Sequence, residues 1–148
     1  MKYLISKEVD GKAAYYTIRW SPMAKADKYS ILGSVPAMGG MAELYYMDAK
    51  GKLCLYMIAR SYYGGLRASL RTATDPETEK DEKRRAILME HEDKIYYRYS
   101  LLESKDDMSD IMYFYLSTYL PHKRHKHSGR YDNIFVSEAD SGKLVTID

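Results

Sequence analysis

The feature that most constrains this chain is a pair of apolar segments facing each other across one glycine. Met41 to Asp48 (MAELYYMD) and Lys52 to Ala59 (KLCLYMIA) flank Ala49-Lys50-Gly51. Gly51 can take the left-handed backbone that a short hairpin loop needs, so the segments predict a β-hairpin. Both strands are largely apolar, which places the hairpin centrally in a sheet, and the rest of the chain must be arranged around it.

Upstream, residues 1–32 read as strands. Ala14-Tyr15-Tyr16-Thr17-Ile18-Arg19-Trp20 is rich in β-branched and aromatic types. Asp10-Gly11 in Val9-Asp10-Gly11-Lys12 marks a tight turn before it. Ser34 to Gly40 (SVPAMGG) reads as a loop. Downstream, Leu66 and Leu70 share a helical face, as do Arg67 and Arg71. Thr74-Asp75-Pro76-Glu77 has the composition of a helix start, and Lys83 to Glu92 continues as helix. Lys94 to Leu101 (KIYYRYSL) returns to strand. Ser104 with Asp107 resembles a capping box opening a helix that Pro121 ends. Ile134 to Val136 and Lys143 to Ile147 suggest a final hairpin around Asp140-Ser141-Gly142. Helices do not alternate regularly with strands, so the expected class is α+β: a small, mostly antiparallel sheet with flanking helices. The 148 residues have room for one domain, read as an N-terminal strand extension (1–37), a core (38–121) and a basic C-terminal extension (122–148).

Composition removes several function classes. No apolar run approaches the roughly 20 residues of a membrane span. MKYLISKEVDGK has no long apolar stretch and no small-residue cleavage site, so no signal peptide is expected. The single Cys54 excludes an internal disulfide framework, and a reducing, cytoplasmic setting is the default. In its apolar strand Cys54 reads as a small hydrophobe, not a nucleophile. A net charge of +2 provides no global field for nucleic acid, so attraction must come from local patches. There are 16 Tyr against 2 Phe and 1 Trp, and Tyr suits half-buried sheets and interface platforms. Neither a nucleophile elbow nor a phosphate loop is present.

A succession of features runs from Gly40 to Pro121. Gly40-Met41-Ala42 opens the first hairpin strand, and Met57-Ile58-Ala59, followed by Arg60-Ser61, lies in the second. Gly65-Leu66-Arg67-Ala68-Ser69-Leu70-Arg71 reads as an arginine-bearing helix, Tyr97-Arg98-Tyr99 as a third strand, and Asp106 to Pro121 as a last helix. In order, spacing and hydrophobic type this resembles the GIY-YIG nuclease superfamily. The resemblance implies a hairpin carrying Gly-Ile-Tyr and Tyr-Ile-Gly, an arginine helix, a third strand, and a helix with a metal-binding Glu about nine residues before a Pro. In that superfamily a Tyr assists proton transfer, an Arg stabilises phosphate and the Glu holds a divalent metal.

The family-equivalent positions here are Ala42, Met57, Arg67 and Met112. Ala42 and Met57 stand in place of the tyrosines, and Met112 in place of the Glu. A thioether does not replace a carboxylate for a hard cation such as Mg²⁺. Asp110 lies two residues away, roughly 200° around a helix, and should face elsewhere. Ungapped spacing gives Arg67 as the arginine, whereas a Leu-Arg-x-Arg reading puts Ser69 there.

The resemblance therefore implies a catalytically degenerate domain that binds nucleic acid, DNA or RNA, without cleaving it and without a cofactor. Its expected contacts are Arg60, Arg67 and Arg71, with Tyr62 and Tyr63 as stacking surfaces, and Lys123, Arg124, Lys126 and Arg130 in the tail. The competing reading of the arginines is an ordinary solvated helix face. Two further functions stay open. One is a divergent nuclease needing Mg²⁺ or Mn²⁺, with Arg67 and a relocated tyrosine and carboxylate. The other is a protein-interaction module with a tyrosine-rich surface. His122, His125 and His127 form an HxxHxH pattern, but flanking cations oppose a metal there.

Overall fold

The computed structural model describes residues 3–62, 65–119, 121 and 124–139. Its strands are β1 (Ile5–Asp10), β2 (Ala13–Ile18), β3 (Ala24–Lys25), β4 (Gly40–Met47), β5 (Leu53–Ser61), β6 (Ile95–Leu101) and β7 (Asn133–Glu138). Its helices are α1 (Lys28–Ser34), α2 (Leu66–Ala73), α3 (Glu82–Glu90) and α4 (Lys105–Tyr119). The fold is α+β, as the sequence predicts, but built on two sheets. One is ordered β3-β6-β4-β5 and wholly antiparallel; the other is ordered β1-β2-β7.

Local chemistry explains the hairpins. Gly11 (φ +59°) and Gly51 (φ +78°) turn β1 into β2 and β4 into β5, at the left-handed positions where a Cβ is costly. β4 is central, but β5 is an edge strand, which corrects the expectation that both lie inside the sheet. β7 runs parallel to β2, with Ala14 opposite Ile134 and Tyr16 opposite Val136. The N- and C-terminal extensions thus share a sheet. The strand at Ile134–Val136 belongs to that sheet, and the second arm of the expected final hairpin lies outside the described residues.

Two helix expectations also change. α1, read as strand in the sequence, is a short helix whose cap Asp27 accepts a hydrogen bond from the Tyr29 N–H at 2.8 Å. The start signal at Thr74–Glu77 makes a single turn, in which the Asp75 carboxylate accepts from the Glu77 N–H. α3 begins later, capped by Asp81. Ser104 caps α4 as expected, accepting from the Asp107 N–H at 3.2 Å.

The four-stranded sheet separates two cores. On one face Ala42, Leu44, Ala59, Tyr97 and Tyr99 pack against Ile31 of α1, Val35 just beyond it, and Leu66 and Leu70 of α2. On the other, Met41 and Ile58 meet Met108, Ile111, Met112 and Tyr115 of α4, with Tyr16, Ile18 and Trp20. β5 therefore has α2 over one face and α4 over the other, with its outer edge between them.

Candidate functional site

A groove of about 660 Å³ follows that edge. Met57, Ile58, Ala59 and Arg60 of β5 line it. Ala68, Ser69, Thr72 and Ala73 of α2 form one wall, and Met112 and Leu116 of α4 the other. Successive strand residues point to opposite faces, so a groove touched by four in a row lies against the strand's backbone edge.

Glu79 and Arg84 close the groove. Glu79 is buried; its Oε1 accepts from the Asp81 N–H at 3.0 Å and from Arg84 Nη2 at 3.4 Å. Burial, and then the Glu79 charge, pushes the nearby Tyr56 hydroxyl well above the usual tyrosine range. Sequence reasoning missed both Glu79 and Arg84. They come from the segment joining α2 to α3 and from α3 itself, where no periodicity marks them.

The structure brings only part of the expected site together. Met57, Arg60 and Met112 line the groove, and so does Ser69. Ala42 does not: it is fully buried beneath α1 and α2, across the sheet from Met112. Arg67 turns the other way, its Nε donating to the Val35 carbonyl at 2.7 Å, which corrects its placement as the phosphate-facing arginine. Residues 67 and 69 differ by roughly 200° around a helix, so Ser69 faces the groove when Arg67 does not. Arg71 lines a second cleft of about 550 Å³ with Lys28, Thr74 and Asp75. Ala68 and Thr72 touch both clefts, making α2 the ridge between them.

Tyr62 is half-buried, one side of it packed against the second core. Tyr63 and Lys123 lie outside the described residues. Arg124 and Lys126 are exposed. Arg130 is not the open phosphate contact that the tail's composition implies: its Nη2 donates to Asp107 Oδ1 and Asp110 Oδ2, each at 2.8 Å.

That ion pair belongs to a second polar cluster, also missed in the sequence. The Tyr16 hydroxyl donates to both carboxylates at 3.0 Å, Lys7 Nζ to Asp107 at 2.9 Å, and the Ser128 N–H to Asp110 at 2.8 Å. Burial alone would raise the Asp110 carboxyl. Hydrogen bonds from Ser128, Arg130 and Tyr16 outweigh it and hold the group below the ordinary 3.8. The cluster fastens the basic tail to α4 and β2. A usable signal existed: Asp107 and Asp110 sit one turn apart beside buried Met108 and Ile111, and buried carboxylates require cations.

Among the described residues no three His, Cys, Asp or Glu side chains converge as a metal site, and no helix is long and apolar enough to cross a membrane. His127 Nδ1 accepts from the Gly129 N–H at 3.0 Å, and its ring packs edge-on against Tyr113. No curated protein and no solved structure matches the chain. Residues 4–148 match the family described as "Uncharacterised protein", and the chain belongs to that family.

Proposed function

We propose that this chain is a catalytically degenerate GIY-YIG-like domain that binds nucleic acid through the ridge formed by α2. The observation that carries the reading is the placement of cations around that ridge. Arg60 stands in the groove on one side, and Lys28 and Arg71 in the cleft on the other. The guanidinium groups of Arg60 and Arg71 make no hydrogen bond or ion pair among the described residues. The succession β4-β5 hairpin, α2, β6, α4 is also the order the family resemblance implies. Arg67 and Arg130 take structural roles, so Arg60, Arg71, Arg124 and Lys126 remain as the phosphate contacts.

A metal-dependent nuclease has one observation in its favour: Glu79 supplies a carboxylate in the groove. Arg84 pairs with it, Nε to Oε2 at 3.4 Å, which neutralises the charge a hard cation needs. The binding reading is therefore preferred.

The test is fluorescence anisotropy with labelled single- and double-stranded DNA and RNA at two salt concentrations, with and without Mg²⁺ and Mn²⁺. Binding is expected to weaken with salt, to ignore the metals and to leave the strands intact. Arg60→Ala or Arg71→Ala should each reduce the log–log salt slope by about 1. No binding at low salt would refute the reading, and metal-dependent cleavage would replace it with the nuclease.

A further inference from the structure

We infer that the outer edge of β5 is a docking site for an extended acidic peptide, added to the sheet as a further strand. The inference goes beyond nucleic-acid binding and starts from the groove's floor. Met57 and Ile58 belong to opposite cores, yet both line the same groove with Ala59 and Arg60. Only the strand edge joins them. In an antiparallel pair, alternate residues direct both N–H and C=O away from the partner strand. Half of Met57–Arg60 therefore present unpaired backbone donors and acceptors to the groove. A β-strand satisfies such a row of groups, and a nucleic acid, whose backbone carries no N–H, does not.

The walls set the side chains and the partner. Ala68 and Ala73 on α2, interspersed with the Ser69 and Thr72 hydroxyls, and Met112 and Leu116 on α4 flank the edge with small or flexible groups. A strand's alternating side chains would pack against these two walls. The same walls make the edge a recess, which suits one extended segment and disfavours edge-to-edge pairing of two copies, each bringing its own helices. Four strand residues span about 13 Å, so the recess takes a peptide of roughly four residues in contact. Charge selects the sequence: Arg60 and Arg84 face one carboxylate, Glu79, leaving Arg60 without a partner among the described residues. An acidic side chain on the peptide completes that pair.

The experiment uses the full chain and a short fluorescein-labelled peptide of alternating valine and glutamate. Companion peptides carry lysine for glutamate, or N-methyl groups on alternate amides in each of the two registers. Binding is read by anisotropy, and backbone amide exchange at Met57–Arg60 by NMR. The acidic peptide is expected to bind and to slow exchange at alternate amides of this stretch. N-methylation of the pairing amides, or lysine for glutamate, should weaken binding at least tenfold. Arg60→Glu should lose the acidic peptide and gain the lysine one, which shows that the variant is folded. Ala68→Trp, placed on the exposed wall of α2, should block both. Several outcomes would overturn the inference: no binding, binding indifferent to N-methylation in either register, or protection outside β5. So would edge protection that appears without peptide and rises with protein concentration, which assigns the edge to a second copy. Competition by an oligonucleotide is expected through the shared Arg60, but protection of the Met57–Arg60 amides by an oligonucleotide alone would return the strand edge to the nucleic-acid reading.

Discussion

Asp110→Asn tests the polar cluster most directly, because it changes charge and almost nothing in shape. Asp110 is fully buried and accepts on both oxygens: Oδ1 from the Ser128 N–H, Oδ2 from Tyr16, Ser128 Oγ and Arg130. An asparagine must place its NH₂ at one of those positions. Facing the Ser128 N–H, or facing Arg130 Nη2, it sets a donor against a donor. Hydrogen bonds to a charged group contribute about 1.5–3 kcal/mol each. Breaking a buried pair costs about 3–5 kcal/mol, and Arg130, a third exposed and still paired with Asp107, pulls the value to the low end. The expected loss is about 3 kcal/mol. For a chain of this size that lowers Tm by roughly 6–12 °C. The pH dependence fixes the cause. The Asp110 carboxyl is held below its ordinary value of 3.8, so its stabilisation is complete above that value and disappears as pH falls through the lowered one. The wild-type advantage over Asp110→Asn should therefore be flat from pH 7 to about 5 and shrink toward zero in stronger acid. Calorimetry or thermal circular dichroism across that range measures it. A Tm change within about 2 °C, or a difference that persists undiminished in acid, would refute the argument.

Arg130→Met should follow the same pH direction but begin at higher pH: with only Lys7 left against them, the two carboxylates repel, so the destabilisation is largest at neutral pH and relieved by acid, readable from urea midpoints at pH 7 and pH 4.5. Arg98→Met should cost about 3 kcal/mol or more by chemical denaturation, since it strands the buried Glu43 carboxylate with only the Tyr45 hydroxyl beside it. Gly40→Ala should destabilise by about 1–3 kcal/mol in the same assay, because the added Cβ would clash with the Ser100 carbonyl of the paired strand.

What the sequence made legible was what is local. The turns at Gly11 and Gly51 announce themselves because only a few residues accept a left-handed backbone, and Ser104 announces α4 by satisfying its first free N–H groups. α1 was hidden because its seven residues carry too little periodicity to stand out from a strand. Asp75 misled because the same side chain that caps a helix also closes an isolated turn. The parallel pairing of β7 with β2 joins residues some 120 positions apart, and no local pattern encodes it. The groove followed the same division. Met57, Arg60 and Met112 were reachable from hairpin and helix spacing, whereas Glu79 and Arg84 depend on how an irregular connection folds back.

The two halves of α4 connect the cluster to the groove. Asp110 and Met112 are two residues apart, so a helix that directs one toward β2 and the tail must direct the other roughly 200° away. Four hydrogen bonds anchor Asp110, and together with the burial of Met108, Ile111 and Tyr115 they hold the rotation of the helix. Turning Asp110 into the groove would break all four and expose Met108 and Ile111, which are fully buried. The wall that α4 presents to β5 is thus held as Met112 and Leu116, one turn apart, by chemistry on its far side. Among the described residues the groove thus has an α4 wall of thioether and hydrocarbon, an α2 wall of alanine methyls with the Ser69 and Thr72 hydroxyls, one carboxylate that is paired, and a strand edge for its floor.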